Sequence, residues 1–574
     1  STTIRGVPAP VMRAPILFRQ SATSVISGSQ AALVMIVVPL ASVAAISASS
    51  FTATTTDNGT FNVPALISGN YTVTIAAPGF KTTVVPDVKV DVGTPSSVNV
   101  TLEIGAPTET VQVVDVAGEL INTQSATVGT TITGRQIVEQ PQASRDALDL
   151  VTLLPGVQTT GRPRTSTVNG LPKGALNITL DGVDVQDNLI SSNDGFFTFV
   201  RPRIDAVGEV SVSTAAPGAE SAGDGAVQIK FVTRGGTNDL AGSLYWYHRE
   251  PYLTANYFFN NQTLAPTYFG KAPRNRILLN QYGGRVGGPI RIPKLFDGRD
   301  KAFFFVNYEE FRLPEQQLRQ RTILSPLAQQ GIFTTTSGAQ VNLLTLAAAN
   351  GFTSTIDPTI GALLGDIRAS TSLQQGSVLP LAGDPNREQF NFVGLGGQNR
   401  YFTTVRLDFN LTQNHSLANV WNYQEFGGKP VAFLNNTDPA FPGFPNSAGQ
   451  NSQRWTNVTS LRSTLTPNLI NEARFGMLGG QSNFGPIGPD QFANQGGFDL
   501  NFNDLGITDA SAVQAIPQRF ARAFGVNFGS SKRNTPSFDF SDSLTWVKGN
   551  HTLNFGGNYN LIKTFSDSVQ NVVG

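Results

Sequence analysis

The sequence predicts a mainly β chain: an N-terminal β-sandwich, a mixed α/β unit, and a partial antiparallel transmembrane β-barrel. Three observations predict it. Segments with a strict period of two fill the C-terminal part of the chain. Tight turns alternate there with long polar stretches. Charge is sparse, at 14% of residues, where soluble proteins carry roughly 25%.

Composition bounds the function. A chain of 574 residues exceeds one ordinary core, so two or three units are expected. With 40 Lys+Arg against 40 Asp+Glu the formal charge is zero, which leaves no basic footprint for nucleic acid. The absence of Cys removes disulfides, thiolate metal sites and Cys nucleophiles. The three histidines, His248, His415 and His551, are far apart and form no HExxH pairing, so no metal site is expected. No GxSxG, Walker loop or strand-borne GxGxxG occurs, so no catalytic residues, no cofactor and no enzymatic activity are expected. The 57 Gly and 38 Phe suit a surface that partly faces lipid.

No segment forms a clean membrane-crossing helix. Residues 31–48 are apolar but interrupted by Pro39, Ser42 and Ser47, and a span needs about 20 residues. Arg13 and Arg19 upstream, with the small residues near Ala48, fit a signal peptide. The same stretch fits two β-strands, and the pattern that follows favours strands.

Residues 28–103 predict the sandwich. Thr56-Asp57-Asn58-Gly59-Thr60 is a turn cluster in which Asn-Gly supplies positive φ. Phe61 and Val63 follow. Tyr71, Val73 and Ile75 then alternate with Thr72 and Thr74, and Pro78-Gly79-Phe80 ends that strand. Val88, Val90 and Val92 alternate next, and Val98, Val100 and Leu102 close the unit. The run Thr56-Asp57, Gly59, Phe61, Leu66, Gly69, Tyr71, Val73 and Gly79-Phe80 resembles the carboxypeptidase regulatory-like domain.

Residues 104–118 form a connector. Within it Glu109, Thr110, Val111, Gln112, Val113 and Val114 make a short β-prone run between Pro107 and Gly118. An ordinary strand or linker has this composition, and so does a strand offered to a partner by edge addition. The run resembles the TonB box, which implies a TonB-type energy-coupling partner.

Residues 119–238 alternate helix and strand signals. Ser144 is a candidate cap for a helix with Ala147, Val151 and Leu154 on one face, stopped by Pro155-Gly156. Ile178 and Leu180 lead into the Asp181-Gly182 turn, and residues 226–232 form an apolar strand ending at Thr233-Arg234-Gly235-Gly236. In this order Gln136-Ile137, Pro141, Leu148, Leu154-Pro155-Gly156-Val157, Asn169-Gly170, Asp181-Gly182-Val183, Glu209-Val210 and the closing Thr-Arg-Gly-Gly resemble the α/β plug of TonB-dependent receptors.

Residues 239–574 carry the barrel pattern. Tyr401, Val405, Leu407, Phe409 and Leu411 alternate with Thr404, Arg406, Asp408 and Asn410. Phe538, Phe540, Leu544 and Trp546 alternate with Asp539, Ser541, Ser543 and Thr545, and Leu553, Phe555, Tyr559 and Leu561 with the intervening polar and glycine positions. Such strands are long enough to cross a bilayer at a tilt. Short turns at 412–414, 467–468 and 548–550 alternate with long segments at roughly 250–276, 313–398, 428–452 and 482–534, as periplasmic turns alternate with extracellular loops. Arg234, Arg406 and Asp408 are candidates for polar contacts in the lumen.

The order of units, with Lys294-Leu295-Phe296-Asp297-Gly298 before Phe303-Phe304-Phe305-Val306-Asn307-Tyr308-Glu309, resembles an Oar-like TonB-dependent outer-membrane receptor. The resemblance implies a place in the cell outer membrane among its lipid, an unidentified extracellular ligand, and uptake driven by the TonB-type partner. The alternative is a surface adhesion or structural role without energised transport. Roughly nine strands are countable after residue 239. Single-chain barrels have even strand numbers, and plugged transporters close with about 22, so a C-terminally truncated barrel is expected.

Overall fold

The computed structural model describes, apart from gaps of one to three residues, 5–6, 16–19, 33–37, 49–55, 61–63, 69–90, 96–105, 110–112, 128–215, 227–250, 255–256, 278–427, 441–444, 449–485 and 531–568. The Thr56–Thr60 turn cluster lies outside these residues.

The first unit packs two sheets. The larger holds β1 (Gly69–Ala76), β2 (Thr82–Val90) and, at its edge, β3 (Thr110–Gln112), with Leu33–Val37 paired antiparallel to both β1 and Ser49–Thr54. Leu33–Val37 is therefore strand, and residues 38–48 lie outside the described residues. The alternation has its expected use: Phe61, Val63, Tyr71, Val73, Ile75, Val88, Val90, Val98 and Val100 form one core between the sheets.

The plug is a five-stranded mixed sheet. Its strands are β4 (Val128–Thr133), β5 (Leu176–Leu180), β6 (Val183–Asp184), β7 (Val207–Ala215) and β8 (Val227–Thr233). They lie in the order β4, β7, β8, β5, β6, and only β5 and β8 are parallel to each other. Two short helices, α1 (Gly134–Glu139) and α2 (Leu148–Val151), cover it. Ile137, Leu150, Val151, Ile178, Val210, Ile229 and Phe231 are buried in its core, each contributing about 1.5–3 kcal/mol by leaving water. Ser144 does not cap α2. The N-cap is Ala147, without a side-chain bond, and the Ser144 hydroxyl instead bonds Asp149 and receives the Asp146 amide. The helix is one turn long because the chain turns away at Leu153 and reverses at Gly156, whose φ is +84°.

The barrel portion is one antiparallel sheet of 12 strands. Its long strands run in sequence order: β9 (Ala241–Arg249), β10 (Leu279–Pro289), β11 (Ala302–Leu324), β12 (Asp384–Asn410), β13 (His415–Gly427), β14 (Gly449–Thr466), β15 (Leu469–Gly485), β16 (Ser537–Lys548) and β17 (His551–Ile562). Ser377–Leu381, Ser531–Asn534 and Phe565–Ser568 extend the same sheet. Among the described residues β9 and β17 do not pair with each other, so the sheet is open. Outward positions carry Val405, Leu407, Phe540, Leu544 and Phe555, while Thr404, Arg406, Asp408 and Thr545 face inward and are buried. No described helix is long and apolar enough to cross a membrane, which says nothing about strands.

The segment 313–398, expected to be a polar loop, begins and ends in the barrel sheet. β11 and β12 pair from Ala302↔Phe409 to Leu324↔Arg387, well past the length a bilayer requires. Their projecting ends carry α3 (Pro358–Ser370) around a small core of Ile323, Leu363, Ile367, Phe390, Phe392 and Phe441.

Candidate functional site at the plug–barrel interface

The plug meets the barrel wall through polar groups supplied by both. Asp181 and Gly182 have φ of 53° and 84°, the tight turn that joins β5 to β6. This turn aims the Asp181 carboxylate across the sheet, where it accepts from the Thr233 amide at 2.9 Å and the Thr233 hydroxyl at 2.6 Å. The Thr233 carbonyl in turn accepts from Arg406 Nη1 at 3.0 Å. Arg406 comes from β12, is 1% exposed, and is held by Asp408, two residues along the same inward face, at 3.0 Å.

A second junction centres on Glu309 of β11, which is fully buried. It accepts from Tyr245 Oη at 2.6 Å, Gln281 Nε2 at 2.8 Å and Arg203 Nε at 2.8 Å, and pairs with Arg145 at 3.3 Å. Arg145 also pairs with Asp205. Tyr245, Gln281 and Glu309 belong to the wall, Arg145 and Arg203 to the plug. The guanidinium of Arg145 stacks on Tyr245 and that of Arg203 on Phe402, at 4.3 and 4.2 Å. Elsewhere Gln424 exchanges two hydrogen bonds with the Arg201 backbone, at 3.0 and 2.6 Å.

Where the contact is not polar it is tight. Val183 leans on Gly476 of β15 so closely that a Cβ there would overlap its methyl, and Leu478 of the same strand joins the plug core. The chain leaves the plug at Gly236, whose missing Cβ would strike the Phe304 and Gly288 carbonyls. That contact accounts for the second glycine after Thr233-Arg234. Arg234, expected to face the lumen, binds inside the plug instead, donating to the Val207 and Gly134 carbonyls at 2.9 and 3.1 Å. Burial lowers its guanidinium to about 10. Asp184, next to the turn, is pushed up to about 6 by burial, although the Gln186 amide donates to it at 2.8 Å.

Of the connector run, Thr110, Val111 and Gln112 form β3, parallel to Thr82, Thr83 and Val84. Glu109, Val113 and Val114 lie outside the described residues. β3 is the last strand of its sheet among the described residues, so its far edge faces no strand. The histidines stay apart: His248 bonds Asn280 and Glu250, and His415 bonds Ser463. Among the described residues no cluster is built to hold a metal ion.

Glu309, Arg145 and Arg203 were not singled out from the sequence. A buried Glu flanked by Asn307 and aromatic residues in an alternating strand was the available signal, since an inward charge needs a partner.

Residues 232–574 match the family model of the outer membrane beta barrel domain, and residues 34–103 match that of the carboxypeptidase regulatory-like domain. No curated protein matches the chain. Among solved structures, the outer membrane transporter YddB from Escherichia coli is similar at 11% identity and TM-score 0.46, over 76% of this chain and 48% of that one. The siderophore receptor PirA from Acinetobacter baumannii is similar at 12% identity and TM-score 0.41, over 75% and 47%. The alcaligin outer membrane receptor FauA from Bordetella pertussis is similar at 10% identity and TM-score 0.36, over 78% and 57%. The chain spans about half the length of these structures.

Proposed function

Because this chain belongs to the outer membrane beta-barrel family and resides in the cell outer membrane, we propose that it forms plug and wall of a receptor that takes up an extracellular ligand with energy from a TonB-type partner. The observation that carries this reading is how the plug is held. Its seat consists of discrete hydrogen bonds and ion pairs, Arg406 to Thr233 and Glu309 to Arg203 and Arg145. Once the plug moves, water can take the place of such bonds, so a plug seated this way is displaceable where a continuous apolar interface would not be. Residues 109–114 are the point where the partner pulls, by adding a strand beside β3. The test is deletion of 109–114 followed by an uptake screen across nutrient classes. Loss of uptake of one nutrient, with the protein still in the membrane, supports the reading. Unchanged uptake of every nutrient refutes it.

A surface adhesion role is the second reading. It is favoured by the β11–β12 projection and its folded cap around Phe390 and Ile367, a rigid structure held outside the bilayer. Removal of residues 326–383 abolishes attachment if this reading holds, and leaves it intact if it does not.

A further inference from the structure

One carboxylate stands on the side of the wall that faces lipid. The outward row of β16 runs Phe538, Phe540, Asp542, Leu544 and Trp546, and the register with β15 and β17 sets Asp542 opposite Ala473 and Gly557. Asp542 is exposed there, with apolar side chains before and after it on the same face, so it sits within the hydrocarbon layer. Its carboxylate accepts from Asn471 Nδ2 at 2.6 Å. Among the described residues no cation pairs with it: Arg474 of β15 points the other way, to the plug turn at Gly182, and pairs with Glu472 at 2.6 Å. A carboxylate in lipid loses its hydration, and one amide is a poor replacement.

Small neighbours leave a hollow around it. Ala473 and Gly557 form the floor and Phe475, Phe540 and Tyr559 the rim of a depression of about 640 Å³. The rings of Phe475 and Phe540 are 4.7 Å apart, and a Cβ added at Gly557 would meet nothing within 4 Å. Beside the hollow, β13 and β14 put Asn419, Asn457 and Thr459 on the same outward face, where Asn419 donates to Asn457 at 3.2 Å and to Thr459 at 2.9 Å. Lipid contact calls for none of these groups. Small residues that allow close approach, joined to polar side chains, are the composition of protein contacts inside a bilayer.

We propose that this hollow docks a membrane-embedded segment of another protein, which seats a lysine or arginine on Asp542. The occupant's charge follows from Asp542, whose attraction for a cation is strong in a low dielectric. A second copy of this chain does not supply that cation. Among the described outward positions of β9 to β17, Arg312 and Lys548 flank the apolar band; Arg312 already pairs with Glu310, and Lys548 lies over the Trp546 ring at 5.0 Å. The inference needs only the membrane-spanning wall and stands apart from the receptor reading.

The experiment puts the photo-crosslinking residue p-benzoylphenylalanine in place of Ala473, and in a control in place of Val405, and illuminates intact outer membranes. The probe at 473 gives a discrete adduct with a different protein, and the probe at 405 gives lipid adducts only. Asp542→Leu and Asp542→Lys each weaken the protein adduct by about tenfold or more, and Asp542→Glu retains it. Gly557→Trp fills the hollow and removes the adduct. An adduct that Asp542→Leu leaves unchanged, an adduct of two copies of this chain, or lipid adducts alone at 473 overturns the proposal. Folding is read separately, by insertion into pure phospholipid vesicles and heat-shifted mobility. There Asp542→Leu inserts at least as well as the unaltered protein, because it sets an apolar side chain against lipid. Poorer insertion also overturns the proposal, since Asp542 would then brace the wall through Asn471.

Discussion

Arg406 of the barrel wall and Asp181 of the plug approach to 3.7 Å and share Thr233 between them, one bonding its carbonyl and the other its amide and hydroxyl. Arg406→Ala therefore strands Asp408 as an unpaired buried carboxylate and leaves the Thr233 carbonyl unsatisfied. The expected loss is about 3–5 kcal/mol of plug seating. It is read as a lower urea midpoint for the onset of protease cleavage within residues 140–230. Cleavage as slow as in the unaltered protein would remove this junction from the plug's support.

Glu309→Gln keeps the shape of the second junction but removes its charge. Arg203 then has no buried carboxylate and Arg145 has only Asp205. Seating weakens by about 3 kcal/mol, and Tyr245→Phe, which removes one neutral donor, weakens it by about 1 kcal/mol. The two variants compared by the same cleavage assay should keep that order. Equal effects would mean the charge contributes nothing beyond a hydrogen bond.

Acid should tighten the plug. The folded Asp184 carboxyl titrates at about 6, against 3.8 for its ordinary value, so the folded protein binds the proton more tightly than the unfolded one. Stability is then greatest below about pH 4, falls as pH rises through the interval to about 6, and is flat above it. The full change is about 3 kcal/mol. Asp149, raised in the same direction by burial, adds to the slope. Asp184→Asn should reduce the slope of thermal stability against pH between pH 4 and pH 6, and an unaltered slope would assign it elsewhere.

On the wall, Phe555 faces outward opposite Leu544 and its neighbour Asn554 faces inward opposite Thr545. Phe555→Arg should cost about 2–4 kcal/mol at mid-bilayer depth, whereas Asn554→Arg meets the lumen and is mild. Insertion into vesicles, followed by the heat-shifted mobility of the folded form, compares them. Matching defects at the two positions would contradict the facing.

The wall was legible wherever lipid lies on one side and water on the other. Val405, Leu407 and Phe409 announce their face because Thr404, Arg406 and Asp408 cannot share it. That contrast disappears beyond the bilayer, where β11 and β12 have water on both sides. Arg319 and Gln320 there resemble loop residues although they are paired with Phe392 and Asn391. The Asp181-Gly182 turn was legible because its backbone needs positive φ. The junctions were not, because Glu309 stands 106 residues from Arg203 and Arg406 173 residues from Thr233. No local period links such partners. Arg234 misled for a related reason: an arginine near the lumen satisfies itself on the nearest free carbonyls, and those belonged to the plug.

The order of strands in the plug also fixes how it yields to force. Among the described residues β4 is at once the first plug strand in the chain and an edge of the sheet, hydrogen-bonded on one side to β7. On the proposed receptor reading, tension from the N-terminal side would meet β4 first and open its ladder one rung at a time, as a zip opens. β8, by contrast, is bonded on both sides and runs on into the wall, where Gly236 is clamped against the Phe304 and Gly288 carbonyls. One end of the plug is therefore a tear strip and the other an anchorage. On that same reading, a pull strong enough to strip β4 would expose a gap beside β7 while β8 still tethers the remainder to the wall.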